Sequence, residues 1–261
     1  MTAIVIDAPA KLTLELRVTG VRDHDPFRGY HHIDAVMTTL DLGDVLEIVE
    51  LDPGAPSRVQ YVGPFAHGLN DLPGDDLVTR ALRSVGRSAD VTVTKNVPHG
   101  GGLGGGSADA AAILRWAGVS DTDVAVRLGA DVAFCLAGRG RARVRGIGEI
   151  VDPLPDDRGT VTLIVPPFSV STPAVYREWD ALVSSRSSTS DEETSNDLET
   201  AAITVEPRLT EWKRSIAEVV GAVPTLAGSG STWFVPGDHG HLLSGDDARL
   251  PGATVIVTGH D

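Results

Sequence analysis

The chain has 261 residues, 41% of them apolar, with 29 Gly and 16 Pro, which suits a folded protein of one large or two modest domains needing no disulfide or metal staple. Its 22 Lys and Arg stand against 36 Asp and Glu, and a net charge of −14 argues against a general phosphate-backbone binder, whose affinity comes from displacing counterions with cations. With Cys135 the only cysteine, no helical chelate spacing among eight histidines and no apolar run near the roughly 20 residues of a membrane span, disulfide, thiolate-zinc, histidine-metal and membrane classes fall away.

The amino terminus lacks the pattern of a secretory leader, and a soluble, cytoplasmic protein is expected. Residues 11 to 18 alternate, so Leu12, Leu14, Leu16 and Val18 are expected on the packed face of a strand and Lys11, Thr13, Glu15 and Arg17 on an open one. A Gly-Asp turn is expected at 43 and 44, followed by a strand around Val45 to Val49. Helices are predicted over 77–85, 107–116, 122–128 and 131–136, and the period of two returns at Val91 to Thr94. Strands with one open face suggest an antiparallel or mixed sheet. After Asp152-Pro-Leu-Pro155 the pattern restarts with the apolar strand Val161 to Val165, then helix, helix, strand, helix, strand. A domain boundary is placed near 150, giving domains 1–150 and 151–261. Residues 183 to 196 are polar and Ser-rich and read as a mobile loop, and there is no internal repeat.

The most informative stretch runs from Lys95 to Ala112 and joins a strand to a helix through Pro98, His99, Gly100, Gly101, Gly102, Leu103, Gly104, Gly105, Gly106 and Ser107. Glycines let the backbone take positive φ and lie against a ligand, and the first amides of the following helix attract anions. Phosphate is the natural ligand. Gly100-x-Gly102-x-x-Gly105 formally fits a dinucleotide fingerprint, with Asp121 or Asp123 at the distance of a ribose-binding acid, but the alternating strand before it argues against a doubly wound sheet. The P-loop pattern fails because Gly106 is followed by Ser107 and Ala108 rather than lysine. Ser107 either caps the helix or offers its hydroxyl to a magnesium ion.

The sequence resembles the GHMP small-molecule kinases. Their three blocks occur in order as Pro9-Ala-Lys-Leu-Thr-Leu14, Pro98 to Asp109, and Leu226-Ala-Gly-Ser-Gly-Ser-Thr-Trp-Phe234. Four further segments, Gly29-Tyr-His31, Leu128-Gly-Ala-Asp-Val132 with Gly146-Ile-Gly-Glu149, Val170 to Tyr176, and Asn196-Asp-Leu-Glu199, resemble the branch that phosphorylates the 2-hydroxyl of a cytidine diphosphate sugar alcohol on the non-mevalonate isoprenoid route. The resemblance covers nearly the whole chain. It implies an α+β architecture of two domains, mixed or antiparallel sheets with helices on one side, and an active-site cleft between the domains. It also implies ATP and Mg²⁺ as cofactors and small-molecule partners, ATP and a cytidine diphosphate sugar alcohol; neither nucleic acid nor membrane is expected, and the oligomeric state is open.

By the same resemblance Asp131 is the catalytic base and Lys11 its electrostatic partner. Lys95, Pro98, Gly100 to Gly106 with Leu103, and Ser107 fall on the ATP site. Thr13, Tyr30, His31, Tyr176, Gly228 and Ser229 fall on the acceptor site, the two tyrosines and His31 holding the cytosine. Read alone, Lys11 is a solvent-facing strand residue and Asp131 a helix cap. The chain departs from the family where Thr13 replaces the usual Asn, Ala108 a Ser and Ala133 a Pro, and in a longer approach to Tyr30. Arg139, Arg141, Arg143 and Arg145 recur every second residue, as either a solvated face balanced by acids or a basic track for phosphates. Other readings are a GHMP kinase for homoserine or a mevalonate-like alcohol, a noncatalytic RNA-binding module, and a nicotinamide dehydrogenase.

Overall fold

The computed structural model describes residues 2–71, 75–138, 140–185, 195–243 and 249–261. The first half of the chain is built on two long strands, β1 (Ile4–Val21) and β2 (His31–Glu50), paired antiparallel along almost their whole length. The other edge of β2 carries β4 (Ala89–Thr94) and β5 (Arg141–Gly146), both antiparallel to it. Strand β3 (Arg58–Val62) runs parallel to β4 through the crossover helix α1 (Leu77–Val85), and β6 (Ile150–Leu154) closes the far side against β5. Helices α2 (Gly105–Trp116), α3 (Thr122–Leu128) and α4 (Ala130–Ala137) complete this half.

From residue 159 onward the strands pair among themselves. Strand β7 (Gly159–Val165) lies between β9 (Trp233–Pro236) and β10 (Thr254–His260), with the two-residue β8 (Thr225–Leu226) beyond β9. Helices α5 (Thr172–Ser185), α6 (Glu199–Val205), α7 (Arg208–Val220) and the short α8 (Gly240–Leu243) accompany them. This is one helix and one short strand more than the pattern suggests. The two sets of strands touch at one pair, His260 with Leu40. Between them lies a separate apolar cluster in which Ala10, Leu12 and Leu40 meet Val161, Leu163, Ala227 and Phe234. Among the described residues no helix is long and apolar enough to cross a membrane.

Helices α1 and α3 lie where the sequence places them, because their caps are local. The Asp76 carboxylate accepts the Thr79 amide at 2.9 Å and Gly86 ends α1 at φ +64°, while Asp121 caps α3 through the Asp123 amide. That use occupies the Asp121 carboxylate, while Asp123 gives only its main-chain amide. Helix α2 begins two residues before Ser107, with Gly104 as its left-handed N-cap, so Ser107 is not the cap. Its Ala108 and Ala110 to Ala112 are fully buried, letting the backbone of α2 approach β1 and β2 closely.

Two strand expectations are corrected. Gly43 and Asp44 form no turn; β2 runs straight through them, and Gly43 is required because a Cβ there would lie 2.9 Å from the Ala8 carbonyl oxygen. On β1, Lys11 and Thr13 are buried at 4% and 3% exposure, while Leu14 and Val18 are only half-buried. The pairing with β2 shifts register between Pro9 and Lys11, Thr13 and Glu15, and Val18 and Gly20, so the simple alternation breaks at each bulge. Of the loop expected over 183–196, residues 186–194 lie outside the described residues.

Candidate active site

A cleft of about 570 Å³ opens where the glycine loop, β1, α4 and the 226–232 loop converge. Lys11 lies at its floor. Its ammonium donates to Thr13 Oγ1 at 3.1 Å and to the Gly102 carbonyl at 2.9 Å, and lies 3.1 Å from Asp131 Oδ2. Three acceptors thus take the three N–H bonds of the ammonium. Lys11 is tied a second time to the loop through its own amide, which donates to the Leu103 carbonyl at 3.0 Å. Asp131 stands in the first turn of α4 with its side chain 31% exposed, open to the cleft. One turn on, Cys135 is buried, and burial pushes its thiol up to about 12 with the Asp131 charge adding to the effect. It is an inert core residue.

The loop shows why this stretch must be glycine. Gly102 sits at φ +80°, and a Cβ there would lie 2.6 Å from the Ala227 carbonyl oxygen; at Gly104, φ +71°, it would meet Lys11 Cγ at 2.8 Å. The amides of Gly105, Gly106 and Ser107 fall in the first turn of α2, where no helical carbonyl reaches them, and these residues line the cleft. Pro98, Gly100, Gly102, Leu103 and Gly104 line it too. Gly101 turns inward instead, its carbonyl accepting from the Thr232 amide at 3.3 Å.

Lys95 also borders the cleft, but its ammonium is held between Asp44 and Asp109, 2.7 Å from the latter, and the residue is 3% exposed. Burial acts to lower the lysine pKa, and the two carboxylates outweigh it and raise it. One ammonium between two carboxylates leaves a negative charge in excess, and burial, aided by Asp44, raises Asp109 to about 7. Asp44 further accepts the Asn96 and Val97 amides at 2.6 and 2.9 Å. The triad therefore joins β2, the end of β4 and α2, the elements on either side of the glycine loop. Beside it lies a side chamber of about 130 Å³ with Leu69, Leu77 and Val78 on its walls.

On the acceptor side Thr13, Tyr176, Gly228 and Ser229 line the cleft together with Thr172, whose hydroxyl is 2.7 Å from that of Ser229. The aromatic set is not assembled. Tyr30 is 53% exposed and edge-on to Phe27 at 5.4 Å, outside the cleft lining. His31 stacks on Tyr176 at 4.6 Å and bonds Asp180 at 2.8 Å, so it covers one face of the ring expected to hold a base.

Sequence reasoning gave no site role to Asp44, Asp109, Thr172 or Asn196. Asp44 was hidden in a sequence that looks like a turn. Asn196 and Thr172 sit within segments that carry the family resemblance, which was the available signal. The arginine stripe faces away from the cleft lining. Arg141 is 3.5 Å from Asp157, Arg143 makes two 2.6 Å bonds to Asp34, and Arg145 lies 2.6 Å from Asp152; Arg139 lies outside the described residues. This is the acid-balanced face, not an open basic track.

The model of the GHMP kinases N terminal domain matches residues 76–139, which span α1 to the end of α4. The 4-diphosphocytidyl-2-C-methyl-D-erythritol kinase of Paracoccus denitrificans is 41% identical over 270 residues, covering 96% of this chain and 91% of its own. The chain belongs to this family of GHMP kinases. Members of the superfamily keep the fold at much lower identity. A crystal structure of 4-(cytidine 5'-diphospho)-2C-methyl-D-erythritol kinase superposes at a TM-score of 0.70, with 28% identity and coverage of 98% and 99% of the two chains. L. major mevalonate kinase gives 0.67 at 12% identity over 98% and 96%, a likeness of fold alone. The protein is an ATP-dependent small-molecule kinase of α+β architecture.

Proposed function

We propose that the protein transfers the γ-phosphoryl group of ATP to the 2-hydroxyl of 4-diphosphocytidyl-2-C-methyl-D-erythritol, releasing ADP, a step toward isoprenoid precursors in the cytoplasm. The observation that carries this reading is the Lys11 to Asp131 contact of 3.1 Å at the floor of a cleft roofed by the glycine loop. Kinship with enzymes of that name supports the acceptor. The domains 1–150 and 151–261 flank the cleft in this reading.

Phosphoryl transfer demands alignment and charge stabilisation more than covalent chemistry. The triphosphate lies along the amides of Gly105 to Ser107 at the positive end of α2, and the purine takes the apolar side chamber beside Lys95. The acceptor hydroxyl enters between Asp131 and the γ-phosphorus. Asp131 takes its proton as the oxygen attacks. Once neutral, Asp131 holds Lys11 less strongly, and the freed N–H of Lys11 turns to the oxygens of the moving phosphoryl group. Thr13 keeps Lys11 aimed by accepting a hydrogen bond from its ammonium. Tyr176 offers the cytosine a ring face, with Tyr30 and His31 moving to complete the grip.

Among the described residues no group of three or more His, Cys, Asp or Glu could hold a metal. That donor set suits Mg²⁺ carried by the nucleotide, which binds through phosphates, waters and one or two protein oxygens. Ser107, whose hydroxyl is not used as a helix cap, would hold it, and the ion would neutralise phosphate charge. The test is ADP release with the cytidyl substrate against mevalonate, homoserine and galactose. Turnover with the first alone is expected, and equal or greater turnover with any of the others refutes the acceptor.

A further inference from the structure

Asn196 is 2% exposed and sits far in sequence from the residues it serves. Its segment is fastened to the edge of β1 at Leu16 and Val18, farther along the strand that carries Lys11. The Leu16 amide donates to the Ser195 carbonyl and the Asp197 amide to the Leu16 carbonyl, each at 2.9 Å, and the Asp197 carboxylate accepts the Val18 amide at 2.9 Å. From this base the Asn196 side-chain amide reaches across. Both its N–H bonds are used, to the Leu226 carbonyl at 2.9 Å and the Gly228 carbonyl at 2.6 Å, and its oxygen accepts the Leu198 amide at 2.9 Å.

The consequence lies on the far side of the Gly228–Ser229 peptide. A trans peptide is planar, and its C=O and N–H point in opposite directions. Holding the Gly228 carbonyl toward buried Asn196 therefore directs the Ser229 N–H the other way, toward the cleft that Gly228 and Ser229 line. No described residue accepts from the Ser229 amide. The site is close to the chemistry, since a Cβ on Gly228 would lie 3.9 Å from both Lys11 Nζ and Thr13 Oγ1.

We infer that Asn196 is a positioning residue: by gripping the Gly228 carbonyl it aims the Ser229 amide at the phosphoryl group in flight, as a fixed main-chain donor opposite the amides of α2. The inference rests on the kinase reading above. It predicts a loss realised in the transition state, because a preorganised donor is worth most where charge develops. Asn196→Asp keeps the shape and replaces two donors with an acceptor facing two carbonyls. Its kcat is expected to fall about 100-fold, the loss typical for one such donor, with both KM values within threefold of wild type. Asn196→Ser, which retains a donor, recovers part of the rate.

Two measurements decide the matter in the full-length protein. The first is steady-state ADP release with thermal melting alongside. A folded Asn196→Asp enzyme with unchanged kcat, or one whose only defect is a lower melting temperature, overturns the inference. Should that variant not fold, Asn196→Ser decides: kcat at least fivefold down with unchanged KM supports the inference, and an unchanged kcat overturns it. The second measurement is the amide resonance of Ser229 on adding ADP with aluminium fluoride, a mimic of the moving phosphoryl group. A downfield shift in wild type that is lost in the variant is expected, and no shift in wild type refutes the role. If the shift occurs but the cytidyl substrate is not turned over, the acceptor assignment alone fails.

Discussion

Replacing Lys95 with Met removes the cation from between Asp44 and Asp109 and leaves the stem to fill the same space. Both carboxylates are 1% exposed, so neither can recover its charge by turning to water. Deleting one partner of a buried ion pair costs about 3–5 kcal/mol, because the charge left behind stays desolvated. At about 2–4 °C per kcal/mol for chains approaching this size, the melting temperature should fall by about 6–20 °C at pH 7.5. The deficit should shrink toward pH 5, because the orphaned carboxylates then bind protons in the folded state. Thermal melting and urea titration at both pH values measure this, with the ATP KM determined on the folded variant. A loss below about 1 kcal/mol at pH 7.5 would refute the buried-anchor reasoning. An unchanged melting temperature with a tenfold higher ATP KM would make Lys95 chiefly a nucleotide contact.

Further outcomes are expected from the same geometry. Asp131→Asn should lower kcat by about 10² to 10⁴, the usual worth of a positioned base, with nucleotide affinity by fluorescence titration within threefold of wild type; comparable kcat values would remove the base assignment. Gly102→Ala forces a Cβ to 2.6 Å from the Ala227 carbonyl at a φ of +80°, and kcat/KM should fall at least tenfold; a fully active variant would mean that the loop opens freely. Asp109 is raised to about 7 by burial, so from about pH 4 to 7 the folded chain keeps a proton that the unfolded chain has lost. Stability of wild type relative to Asp109→Asn should therefore decline as pH rises through that window and level off above it, as urea titration would register; a flat difference contradicts the assignment. Arg143→Ala should leave both KM values unaltered at low and high salt, since its partner is Asp34.

What the sequence determined by itself are the features whose causes are short-range. Asp76 and Gly86 bound α1 because the cap and the left-handed stop lie within one turn of it, and the glycines at 100–106 mark the close-packed loop that opens α2. The ordered blocks made the kinase class legible as well, and pointed to Lys11 and Asp131, which lie 3.1 Å apart. Only the tertiary structure decided which of these groups are buried and what they touch. Lys11 and Thr13 look solvent-facing on an alternating strand, yet bulges in β1 and the approach of the 226–232 loop enclose them. Gly43-Asp44 reads as a turn until β1 is seen to pack against the glycine and Lys95 to claim the carboxylate. Asn196 acquires a role because residues 16 and 226 to 228 meet on either side of it. Those outcomes depend on which distant segments become neighbours, and burial and pairing energies exist only once they do.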